Sequence, residues 1–374
     1  MMKKLVLLAL IGSLIAAGSA LAAEPVKIGL MAPLTGAWAS EGQDMKQIVD
    51  LLAETFNAAG GINGRQVQVI AADDGGDPRT AGLAAQRLST QGVAAVIGTY
   101  GSAVTEASQG IFDEAGLIQV ANGSTAIRLT EKGLKYFMRT CPRDDEQGLV
   151  AYRTLKKGGY KAIGILHDNS SYAKGLADET KSLLEKDGAK IVFFEALTPQ
   201  QNDYTTILTK MRRANPDIVF FTGYYGEAGL LLRQKTEMKW TVPFLGGDAT
   251  NNPDLVKIAG VNAAKGFRFV SPPVPQDLDT PEAKAFMESY RKKYKTEPGS
   301  VWAVLAGDGL RVVVRAIEAT GSTDSTKIAA YLKKELKNFP GLTGPISFDQ
   351  KGDRVGDLYR VYEVDAKGKF IMQP

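Results

Sequence analysis

Cysteine and histidine are almost missing from this 374-residue chain: Cys141 and His167 are single copies. One cysteine closes no intramolecular disulfide. One of each rules out a structural zinc site and leaves a Cys/His nucleophile without partners. Charge of one sign is not in excess either. Lys and Arg number 45 against 41 Asp and Glu, a net +4 spread along the chain. No basic stripe interleaved with aromatic residues occurs, so nucleic acid is not an expected partner. The GxGxxG, GxxxxGK[ST], GxSxG and HExxH patterns are absent as well. Past the first 22 residues no run of 18 apolar residues remains. The Asp73, Asp74 and Asp77 group reads as a turn with helix capping rather than a cation site.

What is present is ordinary globular composition, with 44% hydrophobic and 23% charged residues, and 40 glycines that promise many tight turns. The length suggests two domains or one large one. Residues 1–4 are positive, 5–17 are apolar, and Ala20-Leu21-Ala22 offers small residues at a cleavage site. This is the plan of a secretory signal peptide over 1–22. No cysteine follows the cleavage point, so no lipid anchor is expected there. A soluble, exported protein is expected, periplasmic in a bacterium with two membranes.

Periodicity then alternates. Strands are expected at 26–31, 66–71, 94–98, 117–121 and 136–139, with helices from Ser40 through Phe56, from Pro78 to Leu88 and over 105–115. A second set follows, with strands at 162–167, 190–196, 218–222, 243–246 and 266–270. Its helices are expected at 146–157, 172–186, 204–214 and 227–238. The tail reads as helices 281–294, 301–319 and 326–337, then strands at 346–348, 357–364 and 370–372. Repeated strand–helix–strand units build parallel sheets covered on both faces, so the fold class is α/β with two similar Rossmann-like lobes.

Several segments carry a resemblance that spans the whole mature chain. They are Met31-Ala-Pro-Leu-Thr-Gly36, Asn57-Ala-Ala-Gly-Gly-Ile-Asn-Gly64, Asp73-Asp74 with Asp77-Pro78, and Val96-Ile-Gly98. Ser124-Thr125-Ala126, His167-Asp168 with Tyr172, Gly223-Tyr224, Leu232-Arg-Gln234 and Gly344-Pro345 complete the set. In order and spacing, the chain resembles the periplasmic branched-chain amino-acid (Leu/Ile/Val)-binding proteins, the substrate receptors of ABC importers, with a type I periplasmic-binding fold. The resemblance implies three hinge crossings, near 140–142, 270–272 and 344–348. The N-terminal lobe would then be 24–141 plus 272–345, and the C-terminal lobe 142–271 plus 346–374. It implies a monomer that needs no cofactor, catalyses nothing and delivers a captured amino acid to a membrane permease. It also places the disulfide cysteines of bridged members at Gly76 and Gly101, so a staple worth roughly 2–4 kcal/mol is missing here.

Two turns, Thr99-Tyr100-Gly101-Ser102 and Asn122-Gly123-Ser124-Thr125, follow strands and precede helices. Hydroxyls and free N–H groups beside positive helix ends suit a carboxylate, although the same residues also serve as plain N-caps. The resemblance assigns the ligand α-carboxylate to Ser102 and Thr125 and the α-ammonium to the Gly123 carbonyl, with Ser124 adding a backbone contact. It assigns Asp248, after Gly246-Gly247, as the ammonium's acidic partner and Tyr172 and Tyr224 as cleft tyrosines, with Tyr225 a weaker candidate.

The side-chain pocket departs from the family. Glu41 replaces an aromatic residue, Tyr100 a leucine, and Trp302 a phenylalanine. Glu41 therefore turns to solvent or to Lys46, or meets a polar group on the ligand, with Trp38 near enough to line the pocket in its stead. Ligands with polar, cationic or aromatic side chains, or another small carboxylate or amide, stay open, as does a sensor of the same fold. His167 reads as a packing or hydrogen-bonding residue.

Overall fold

The computed structural model describes residues 23–374, and the export segment expected at 1–22 lies outside them. Five parallel strands form the first sheet: β1 (Val26–Ala32), β2 (Val67–Asp73), β3 (Ala95–Ile97), β4 (Gln119–Ala121) and β5 (Phe137–Arg139), in the order β2-β1-β3-β4-β5. All of β1 except Lys27 is buried, the mark of a central strand covered on both faces. In the second sheet β6 (Ala162–His167), β7 (Lys190–Ala196), β8 (Ile218–Thr222), β9 (Phe244–Gly246) and β10 (Arg268–Ser271) run parallel. The short β11 (Phe339–Gly341) and β12 (Gly344–Ile346) pair antiparallel by themselves. The chain then returns as β13 (Arg360–Val364) and β14 (Phe370–Met372), antiparallel strands that complete the order β14-β13-β10-β9-β8-β6-β7. Two lobes of α/β architecture result, as the alternation predicts.

The helices follow from simple signals. Asp77 caps Pro78–Ser89 by accepting from the Thr80 N–H at 2.9 Å, with Pro78 in the first turn. Thr280 does the same for Pro281–Tyr294. Helix Val301–Thr320, apolar nearly all round, is sandwiched in the first lobe against helix Ala39–Ala58, and it stops at Gly321 in the left-handed region.

Reversals of strand order place the crevice. In the first sheet β2 lies on one side of β1 and β3 on the other; in the second, β7 and β8 flank β6 in the same way. In open α/β sheets the loops leaving the carboxyl ends of strands at such reversals, here β1, β3, β6 and β8, are where ligands bind. At the end of β3, Gly98 has φ +111°, and a Cβ would overlap the Met31 carbonyl oxygen, so only glycine lets this loop turn toward the crevice.

Gly76 and Gly101, where the resemblance puts a pair of cysteines, both lie against Trp38. A Cβ at Gly76 would meet Trp38 Cε3 at 2.7 Å, and one at Gly101 would meet Trp38 Cζ3 at 2.8 Å. The indole thus packs over both glycines, and its dispersion contacts hold the two turns together. Asp73, Asp74 and Asp77 all serve turns: Asp73 accepts from the Leu34 and Gly75 N–H groups, and Asp74 from that of Gly76. His167 Nδ1 accepts from the Asn169 N–H at 3.1 Å, fixing the turn after β6.

Candidate functional site

Loops from both lobes meet in an enclosed seam. From the first lobe come Tyr100, Ser102, Ser124 and Thr125; from the second, Tyr172, Tyr224 and Asp248. None of these seven is more than 5% exposed. Ser102 opens helix Ser102–Glu114, three residues earlier than the periodicity suggests, and its Oγ accepts from the Ala126 N–H at 3.2 Å. That bond ties the two expected anion-binding turns together. Ser124 Oγ points into its own lobe, donating to the Thr99 and Tyr100 carbonyls. Thr125 Oγ1 is buried and has no hydrogen-bond partner.

Asp248 begins a single turn of 3-10 helix after β9. Its Oδ2 accepts from the Tyr359 hydroxyl at 2.8 Å, and its N–H donates to Gln147 Oε1 at 2.8 Å. Gln147 Nε2 donates to Asp144 Oδ1 at 2.7 Å, and the Asp144 N–H donates to the Thr125 carbonyl at 3.0 Å. Three hydrogen bonds in series therefore connect Thr125 to Asp248. Burial raises both carboxyls above the usual aspartate range, and the Asp248 charge pushes Asp144 further up, while hydrogen bonds from Tyr359, Tyr172 and Gln147 oppose the rise at Asp248. Asp144, Gln147 and Tyr359 escape a reading of the sequence. Asp144 looks like any acid in a helix first turn, and Tyr359 lies just before β13 with no local motif.

Aromatic rings close the seam. Trp38 and Tyr224 lie 4.1 Å apart between centroids, and Tyr224 also touches Tyr100 (5.8 Å) and Tyr172 (5.6 Å). The Tyr172 hydroxyl accepts from the Ala249 N–H at 3.3 Å. Tyr225 clasps the other lobe, its hydroxyl 3.1 Å from Ser40 Oγ and donating to the Ala37 carbonyl at 3.1 Å. Ser171 Oγ reaches Glu106 Oε2 at 2.8 Å on the rim.

Glu41 takes neither protein environment expected of it. It is fully buried, and Lys46 pairs with Asp50 instead. Ser300 Oγ donates to its carboxylate at 2.6 Å, and Asn252 Nδ2 of the second lobe reaches Oε2 at 3.3 Å. Ser300 lies 259 positions away, so no local signal could reveal it. Burial, assisted by Asp44, raises the Glu41 carboxyl from 4.5 to about 8 despite these bonds. The folded protein therefore holds this proton more tightly than the unfolded chain. Stability from this group is complete below about pH 4.5 and is lost as pH rises through about 8. Glu41→Gln keeps an acceptor for Ser300 but does not titrate. Melting temperatures from pH 5 to 9 should fall more steeply for the wild type than for Glu41→Gln; parallel curves would contradict this assignment.

A groove of about 960 Å³ runs along the flank of the seam, lined by Asp44, Asn252, Lys257, Pro275, Glu297 and Phe370 among others. None of the residues expected to bind ligand lines it. Two of its charged side chains are engaged by neighbours, Asp44 accepting from the Gly299 N–H and Lys257 pairing with Asp254.

Comparison with known proteins places the chain in a family. A sequence profile described as "Periplasmic binding protein" matches residues 25–369. The chain belongs to the periplasmic binding protein family. An amino acid binding protein of Pseudomonas aeruginosa is 35% identical, over 93% of this chain and 92% of that protein. The leucine-, isoleucine-, valine-, threonine- and alanine-binding protein of the same organism is 33% identical, over 93% and 92%. The crystal structure of a leucine binding protein from Thermotoga maritima superposes with a TM-score of 0.86 at 29% identity, covering 93% of this chain and 98% of that one. A branched-chain amino acid transporter substrate binding protein from Streptococcus pneumoniae, solved in complex with isoleucine, gives 0.84 at 31% identity, over 93% and 100%. Among the described residues no helix is long and apolar enough to cross a membrane.

Proposed function

We propose that this periplasmic binding protein captures an α-amino acid between its lobes and hands it to the permease of an ABC importer. The observation that carries the reading is the hydrogen-bonded run from Thr125 through Asp144 and Gln147 to Asp248. It joins a buried, unpartnered hydroxyl on one wall to a buried carboxylate on the other. Hydroxyl and amide donors at Ser102 and Thr125 would take the α-carboxylate. Asp248 and the Gly123 carbonyl would take the α-ammonium, and Tyr172 and Tyr224 would exclude water from the ion pair. Each lobe holds half of the site, so the ligand favours the closed state through contacts it makes only there.

The lobes in this reading are 24–141 plus 272–345, and 142–271 plus 346–374. The protein acts as a monomer in the periplasm and binds without catalysis. Burial pushes the Cys141 thiol up to about 12, which leaves no thiolate nucleophile near neutrality, and the sole histidine is held in a turn. Isothermal titration with the standard amino acids tests the capture claim, micromolar affinity corresponding to roughly −8 kcal/mol. Heat with at least one amino acid is expected. Heat only with carboxylates that lack an ammonium would transfer the assignment to a small-acid receptor, and no heat at all would remove it.

A further inference from the structure

Recognition of the amino and carboxyl groups leaves a second polar set unused. Tyr100 and Trp302 are 2% and 1% exposed, yet the Tyr100 hydroxyl and Trp302 Nε1 have no hydrogen-bond partner. Asn122 Oδ1 is buried and unpartnered too. The three residues are neighbours. The Tyr100 and Trp302 rings lie 6.4 Å apart between centroids, and Asn122 Nδ2 donates to the Trp302 carbonyl at 2.9 Å. Gly123 lies directly against Tyr100, for a Cβ there would meet Tyr100 Cδ2 at 2.6 Å. Tyr100 also packs on Tyr224 of the opposite lobe, which puts the cluster within the same seam. Buried polar groups without partners are individually unfavourable, and three in one place mark a surface made to be satisfied by something polar.

The chemistry narrows what that is. An indole N–H only donates, an amide oxygen only accepts, and a phenol does either. A cationic side chain offers donors alone and cannot satisfy Trp302. A carboxylate offers acceptors alone, leaves Asn122 Oδ1 orphaned, and adds negative charge near Asp248. Arg139 gives no relief, being bound to Asp353 and to the Ser124 and Ala126 carbonyls. An aliphatic side chain satisfies none of the three. A primary amide has both a carbonyl oxygen and N–H groups and can satisfy all of them.

We propose that Tyr100, Asn122 and Trp302 form a side-chain subsite for an uncharged primary amide, so that the preferred ligand is an amino acid of the asparagine and glutamine class. The inference rests on the amino-acid reading of the seam given above. Protein stripped of ligand by denaturation and refolding would be titrated with asparagine, glutamine, leucine, isoleucine, glutamate and lysine. One of the two amides should bind at least ~10-fold more tightly than leucine. Trp302→Phe keeps the ring and deletes the N–H. It should weaken amide binding by about tenfold, and by clearly more than it weakens leucine binding, as should Tyr100→Phe. Thermal melts matching the wild type would show that both variants fold. Leucine or isoleucine binding as tightly as the amides would overturn the subsite while leaving the amino-acid reading intact, and so would a Trp302→Phe protein that loses affinity equally for leucine and amide. Silence with every amino acid would overturn both.

Discussion

Asp248→Ala should bind an amino acid about 10²–10⁴-fold more weakly than the wild type. This is the expected size when one partner of a buried, hydrogen-bonded charge pair is removed, roughly 3–5 kcal/mol. Asp248 is 1% exposed, so an ammonium placed against it has given up its water and cannot recover it when the carboxylate is gone. Tyr359 donates to the same carboxylate and would itself lose an acceptor. The variant separates binding from folding. Burial raises the Asp248 carboxyl in spite of its hydrogen bonds, so the folded state favours its protonated form. By linkage, stability from this group is present below the ordinary aspartate range and is lost as pH rises through the elevated value. Above that value the alanine variant should therefore melt no lower than the wild type while binding far less. Affinity of the wild type should also decline on acidification, over a range above the usual aspartate pKa, because the ammonium needs the ionised carboxylate. Asp248→Asn should show no such decline. A wild-type dissociation constant in Asp248→Ala would remove this residue from the site.

The second large effect concerns stability. Asp353→Ala should destabilise the protein by ~3–5 kcal/mol, since it strands Arg139 in the interior without a counter-charge. Arg139 is fully buried at the end of β5, with Nε 2.5 Å from Asp353 Oδ1, and Arg143 reaches Oδ2 at 2.7 Å. Burial alone would raise the Asp353 carboxyl, but the two guanidiniums and Thr130 outweigh it and lower it below the usual value. Stability from this group is thus present above the unfolded aspartate pKa and is lost as pH falls through the folded one. The pair ties the exit of the first sheet to the segment entering β13, and next to it Arg354 donates to the Thr140 and Pro345 carbonyls. Urea unfolding at pH 7 measures the effect. A change within about 0.5 kcal/mol would show that the ion pair is replaced by water.

The strands were legible where short apolar runs stood between turn residues. Those at 162–167, 190–196 and 218–222 fall where the pattern places them. The hairpin of β11 and β12 was not legible. Its strands have three residues each and carry Pro340 opposite Pro345, a composition that argues against a ladder. Its turn is held from outside, by Asp308 accepting from the Leu342 and Thr343 N–H groups, and the sequence instead suggested a strand at 346–348. The short helices Arg128–Glu131, Asp254–Ala259 and Val261–Ala264 escaped for a similar reason, being too brief to show periodicity. In the seam, the turns holding Ser102 and Thr125 could be recognised because strand, small polar loop and helix follow in order. Asp144, Gln147 and the Ser300 partner of Glu41 could not, because their meaning comes from residues far away in the sequence.

The most direct test is a crystal structure with the tightest-binding amino acid. The α-ammonium should lie about 3 Å from an Asp248 carboxylate oxygen and from the Gly123 carbonyl, with the α-carboxylate at similar distance from Thr125 Oγ1. An amino acid seated in the flank groove, with Asp248 bonded only to Tyr359, would contradict the account.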